Sequence, residues 1–233
     1  MIAMELVDIE CELYRLIPSR FPPVSVFDGL VANDRLDQLA EIEARTNPRL
    51  QSDERLRVLY GDSGSPQLQN WNLAPFKYLN PEGSRFFPPT RPALELSDNQ
   101  QTALAVAVAR REGFLRRTSE AALGLDMRML KTPVVGKFAD MSEVSPDLER
   151  EKRWEIARDL PEAADGIIYC PPERPSHRCY AVLQGDRLGR TIQTVHYRFA
   201  WDGSRISAVY AFDEVGRRLR PEDLSSPDDA LAA

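Results

Sequence analysis

The 233-residue chain is 42% hydrophobic and 28% charged, which excludes disorder throughout and allows one large or two small domains with a buried core. Thirty Lys and Arg stand against 36 Asp and Glu, a formal net charge of −6 that argues against nucleic acid as the partner on bulk charge. Three cysteines, an odd number at long spacings, and the lack of an apolar run approaching the roughly 18 residues of a membrane span point to a reduced, soluble, cytoplasmic protein with no membrane partner.

The opening MIAMELVDIECEL has acidic residues where a secretory signal would be basic, and it reads as the first strand of the fold. Val7, Ile9, Cys11 and Leu13 alternate with Asp8, Glu10, Glu12 and Tyr14, a period of two that predicts one apolar strand face ending at Ile17-Pro18. Pro18, Pro22 and Pro23 then impose extended or turn backbone. Asn33 or Asp34 caps a predicted helix carrying Leu36, Leu39, Ala40 and Ile42 and stopping before Asn47-Pro48. Glycine and proline punctuate residues 61 to 92 so densely that the stretch reads as a long loop, a feature more often functional than idle.

Arg91 to Ser97 predicts a short strand, and Ser97-Asp98-Asn99-Gln100 reads as a Ser-x-x-Gln capping box opening a helix. That helix carries TALAVAVA, Thr102 to Ala109, apolar on nearly every side, so it is expected to run through the core and emerge at Arg110, Arg111 and Glu112. Leu125, Met127 and Met129 form an alternating strand, and Pro133 to Asp140 reads as another after a turn at Thr132-Pro133. Ser145-Pro146 looks like an N-cap and first helical residue, with an amphipathic helix running to about Leu160. GIIYC (Gly166 to Cys170) and CYAVL (Cys179 to Leu183) are short strands flanking a loop. TVHYRFAW and RISAVYAF flank Asp202-Gly203-Ser204, the strongest hairpin signal in the chain. The acidic tail, 221–233, is expected to fray, leaving one domain over 1–220. Strands before, between and after helices argue for an α+β fold with a mostly antiparallel sheet and a buried central helix.

The chain lacks GxGxxG after a strand, GxxxxGK[ST], HExxH, CxxC and GxSxG. Cys170, His177 and Cys179 match no closed four-ligand zinc spacing and read as strand cysteines beside a loop histidine. His196 sits at an alternating strand position and reads as a sheet-face residue. No metal is expected.

The stretch SRFFPPTRPALELSDNQQTALAV, Ser84 to Val106, resembles the RES-domain family, named for Arg, Glu and Ser. Members carry a Gly/Ser-Arg-Phe/Trp element, a strand with tyrosine, and a helix opening with Thr-Ala. Tyr14 to Pro23, Thr46 to Leu50, Asp126-Met127-Arg128, Asp165 to Tyr169 and the hairpin from Tyr197 to Tyr210 look like the longer bacterial branch, in the right order over most of the chain. The resemblance implies an ADP-ribosyltransferase-like fold that binds NAD. It also implies a homodimer and a toxin that consumes NAD, or transfers its ADP-ribose, once its cognate antitoxin is lost.

On that resemblance Arg85 occupies the family arginine and Arg15 the early Tyr-Arg element, so both are candidates for gripping the NAD diphosphate. The family tyrosine falls on or beside Glu95, its glutamate on Val106 and its serine on Pro171. Valine holds no charge, and proline has neither hydroxyl nor N–H. Glu95 is the candidate replacement carboxylate, and the competing reading is a surface glutamate on an edge strand. Arg85 either grips a ligand or ties its loop to a carboxylate or carbonyl. If Arg85 and Arg15 are structural, each is expected to pair with an internal carboxylate, with Val106 sealed in the core and no pocket. Function divides accordingly. The favoured reading is a pseudoenzyme-like RES protein, catalytically impaired, with a nucleotide- or protein-binding role; the alternative is an active NAD glycohydrolase, phosphorylase or ADP-ribosyltransferase using Glu95.

Overall fold

The N-terminal alternation builds strand β1, Leu6–Pro18, in the computed structural model of the chain, which describes residues 4–18, 75–76, 80–213, 216–227 and 231. All described residues belong to one compact unit, Met1–Arg20 with Gln67–Ala233. The helix expected from Asn33 or Asp34 to Asn47 lies outside the described residues. After β1 come β2 (Leu94–Ser97), α1 (Gln100–Leu115), β3 (Leu123–Asp140), α2 (Arg150–Arg158), β4 (Gly166–Tyr169), β5 (Cys179–Val182), β6 (Ile192–Trp201), β7 (Ile206–Phe212), β8 (Arg218–Leu219) and α3 (Pro221–Leu224).

The eight strands run in the order β1-β2-β5-β4-β3-β6-β7-β8, and β1 pairs with β3 as well as β2, so five strands close into a ring. All pairings are antiparallel except β3 with β4. The mostly antiparallel α+β architecture expected from the sequence is the one observed. Leu13, Leu94, Leu96, Val134, Phe138, Ile168 and Val182 form one fully buried cluster, donated by all five ring strands. Packing there is tight at Gly166, where a Cβ would lie 2.3 Å from the Ala181 carbonyl oxygen and 2.5 Å from the Phe138 ring. A second cluster joins Ala103, Leu104, Ala105 and Val108 of α1 to Met127, Met129, Tyr197, Phe199 and Val209, which makes α1 the central helix. A third joins Phe86 and Phe87 to Ala157 of α2 and to Tyr169, Cys179 and Ala181.

Four local expectations are corrected. β3 is one continuous strand through Thr132 and Pro133, with no turn between two shorter ones. Proline is tolerated because the Pro133 carbonyl, and with it the position of its missing N–H, faces away from β1 into the interval between β6 and β4. There the Pro133 oxygen accepts from Gly189 N–H at 2.8 Å and no regular ladder is interrupted. The cap of α1 is Asn99, whose side chain accepts from Thr102 N–H at 2.8 Å; Ser97 is the last residue of β2, 3.4 Å from the Cys179 sulfur.

α2 starts at Arg150 and ends at Arg158, not at Ser145-Pro146 and Leu160, because Arg153 reaches back to the Pro146 and Leu148 carbonyls and holds that approach in turns. The tail does not fray before 227. Leu224 is 1% exposed, Gln101 donates to the Asp223 and Leu224 carbonyls, and Arg174 donates to those of Ser226 and Pro227. Among the described residues no helix is long and apolar enough to cross a membrane.

Candidate functional site

Three pieces of chain converge on one cleft. The first is β2, an inner strand between β1 and β5, so Glu95 is not on a sheet edge. The second is one face of α1. Ala103, Val106, Ala107, Arg110 and Arg111 recur at i, i+3, i+4, i+7 and i+8, and all five line a cavity of about 260 Å³. The third is the loop from Asn80 to Pro92. Gly83 there has φ +70°, and a Cβ on it would lie 2.6 Å from the Phe87 carbonyl oxygen, so the turn requires glycine. Phe86 and Phe87 anchor the loop in the core, with the Phe86 ring centroid 5.0 Å from that of Tyr169. Trp154 of α2 donates to the Ser84 carbonyl at 3.2 Å.

Glu95 sits at the throat, its side chain 11% exposed. Arg110 donates to its Oε2, the Tyr169 hydroxyl donates to Oε1 at 3.0 Å, and the Arg85 backbone N–H lies 3.4 Å from the same oxygen. Burial opposes the charge, but the guanidinium groups of Arg110 and Arg85, with the Tyr169 and Arg110 hydrogen bonds, outweigh it and hold the carboxyl below its usual range. Burial, then the Glu95 and Cys179 charges, push the Tyr169 phenol well above its usual range, so it stays a proton donor to Glu95. The expected alternative of a surface glutamate is therefore corrected. Glu95 faces the cleft and is already engaged there.

Arg85 and Arg15 line different cavities. Arg85 Nη2 donates to Glu173 at 2.9 and 3.3 Å, and its carbonyl accepts from Arg153 at 3.0 Å. It lines an outer cavity of about 490 Å³ that shares Asn80, Gly83, Ser84, Glu95, Arg110 and Arg111 with the inner one. Arg15, on β1, lines the inner cavity, and burial pulls its guanidinium down to about 10. So Arg85 has the internal carboxylate partner of a structural arginine, yet the pocket persists and Val106 forms part of its wall. Pro171 is buried, lines neither cavity, and accepts from Arg174 N–H at 3.2 Å.

The other sequence candidates lie apart from the cleft or take structural roles in it. His177 Nδ1 is 2.8 Å from Asn99 and 3.1 Å from Asp98 at the opposite end of α1. Cys179 is buried beside Ser97, its thiol pushed up to about 12 mainly by burial. No group of three metal-ligating side chains occurs among the described residues. His196 lies on β6 between Arg128 and Phe212, with Gln193 at 2.6 Å.

The family model for the RES domain matches residues 65–202, which contain every cleft residue just described except Arg15. The chain belongs to the RES-domain family. A protein of Sinorhizobium fredii (strain NBRC 101917 / NGR234), described as uncharacterized protein y4oC, is 62% identical over 229 residues, covering 98% of this chain and 100% of its own.

Within the RES domain the structure adds Arg110, Tyr169 and Glu173 to the site. The first had a signal, since extending the Val106 face of the helix by one turn reaches Arg110. Tyr169 and Glu173 are 74 and 88 residues distant from the side chains they bind, and no local pattern marks such pairs.

Proposed function

We propose that this RES-domain protein is a toxin relative that binds a nicotinamide dinucleotide, or its ADP-ribose part, in the cleft and turns it over poorly. One observation carries the reading: the carboxylate at the throat comes from β2 and is already satisfied by Arg110, Tyr169 and the Arg85 N–H, while Val106 presents only methyl groups. Cleavage of a nicotinamide–ribose bond builds positive, oxocarbenium-like charge on the ribose. A carboxylate stabilises that charge only if its own is not neutralised by a neighbouring guanidinium. Losing one such stabilising group typically costs about 10²- to 10³-fold in rate. Arg15 supplies positive charge to the inner cavity, where the diphosphate would sit. A cognate antitoxin, a homodimer and a cytoplasmic location belong to the same proposal.

The second reading, an active NAD-consuming enzyme, is favoured by the position of Glu95 on both cavities, where a bound nucleotide could take the place of Arg110. Calorimetric titration of the whole protein with NAD and ADP-ribose, followed by measurement of free nicotinamide over hours at high protein concentration, separates the two. Saturable binding with little or no nicotinamide is the expected result. Steady release that Glu95→Gln abolishes makes Glu95 the catalytic carboxylate. Absence of binding by either nucleotide removes both readings and leaves a protein-binding role.

A further inference from the structure

The outer cavity carries more positive charge than a dinucleotide diphosphate requires. Six arginines line it, Arg85, Arg110, Arg111, Arg117, Arg150 and Arg153, against the carboxylates of Glu82 and Glu95. Three of the six are neutralised within the protein. Arg85 pairs with Glu173, Arg110 with Glu95 and Arg117 with Glu82. Arg153 donates from Nε to the Arg85 carbonyl and from Nη1 to those of Pro146 and Leu148, bonds to neutral acceptors that leave its charge in place. Arg150 lies 5.9 Å from the Trp154 ring centroid. The Arg111 side chain makes no hydrogen bond or ion pair among the described residues, although the residue is half-buried on the wall common to both cavities. Burial and the neighbouring Arg110 charge both lower its pKa, so an anion at this place would relieve a cost that already exists.

A nicotinamide dinucleotide brings two diphosphate charges, one offset by its own nicotinamide ring, which leaves most of this charge unanswered. A phosphomonoester adds about −1.5 to −2. Building on the nucleotide reading above, we propose that the cleft mouth is a second anion subsite, for a phosphomonoester carried on the dinucleotide, with Arg111 its anchor and Arg150 its second cation. The ligand class is a phosphorylated dinucleotide, for which NADP is the accessible probe.

The test titrates the whole protein with NAD and NADP at low and at high salt, in wild type, Arg111→Gln and Arg150→Gln, with thermal melts to show that each variant is folded. In wild type NADP binds about 10- to 100-fold more tightly than NAD, the range expected of one charge-assisted hydrogen bond. The ratio falls toward one in Arg111→Gln, narrows in Arg150→Gln, and narrows in wild type as salt rises. NAD binding with NADP no tighter overturns the subsite and leaves the nucleotide reading standing. A preference unchanged in both variants also overturns it. Failure of both nucleotides to bind overturns the nucleotide reading and the subsite with it.

Discussion

The two ends of α1 handle arginine in opposite ways. At the N-terminal end Arg174, 1% exposed, donates to Asn99 Oδ1, Thr102 Oγ1 and the carbonyls of Ser226 and Pro227. These acceptors are neutral and belong to two separate stretches of chain, so the guanidinium, itself on the β4–β5 loop, fastens that loop to the α1 cap and to the tail. At the C-terminal end Arg110 and Arg111 face a cavity, one paired with a carboxylate and 48% exposed, the other with no partner among the described residues. A buried cation whose donors all meet acceptors of its own chain is part of the fold. A half-buried cation aimed at open space adds nothing to the fold and is kept for something outside it.

The largest expected effect breaks the first half of that comparison. Replacing Arg174 by leucine fills most of the volume but removes the donors to Ser226, Pro227, Asn99 and Thr102, leaving their oxygens buried without them. A loss on the order of 3 to 5 kcal/mol is expected, because several buried neutral oxygens lose their donor at once and each costs about 1 to 3 kcal/mol, partly offset by the removal of a buried charge. Urea unfolding measures it, and limited proteolysis near 221–227 shows whether the tail is released. An unchanged midpoint with a protected tail would mean that Arg174 is not the fastener.

A smaller effect, and one with a pH signature, comes from Glu95→Gln. The folded-state carboxyl lies below the ordinary value of 4.5, so the group contributes stability that is present above the unfolded pKa and lost as pH falls through the folded one. Glutamine keeps an acceptor for Tyr169 and loses the charge opposite Arg110, whose half exposure limits the term to about 1 to 2 kcal/mol. The variant is expected to be less stable than wild type at neutral pH and to converge with it in acid. A difference that stays constant from neutral pH down to acid would show that the pair carries no charge-dependent stability.

Much of the scaffold was legible from local chemistry. The period of two in β1 and the Asp-Gly turn of β6–β7 depend on neighbours in sequence, and Gly203 takes the left-handed φ of +101° that the turn requires. The departures arise where tertiary contacts decide. The Ser-x-x-Gln pattern points to Ser97, and only the pairing of Ser97 with Cys179 across β2 and β5 moves the cap to Asn99. Pro133 reads as a breaker until the interval between β6 and β4 is known to be where its missing N–H falls. At the site, the family resemblance over Ser84 to Val106 singled out Arg85, Glu95 and Val106, and each lines one or both cavities. Their partners could not be read, because Glu173 and Tyr169 reach it only through the order β2-β5-β4.

The smallest expected effect on stability sharpens the other half of the comparison. If Arg111 serves the cavity and not the fold, Arg111→Gln keeps a helix-compatible side chain, removes a cation that burial and Arg110 both disfavour, and deprives no described residue of a hydrogen bond. Its unfolding free energy should then stay within about 0.5 kcal/mol of wild type, the range of surface substitutions that touch no special feature, and a slight gain is the expected sign. Urea unfolding at low salt is the sensitive measurement, because relief of Arg110–Arg111 repulsion is greatest where screening is weakest. A loss of several kcal/mol would place Arg111 beside Arg174 as a fastener, and the two ends of α1 would no longer differ in kind.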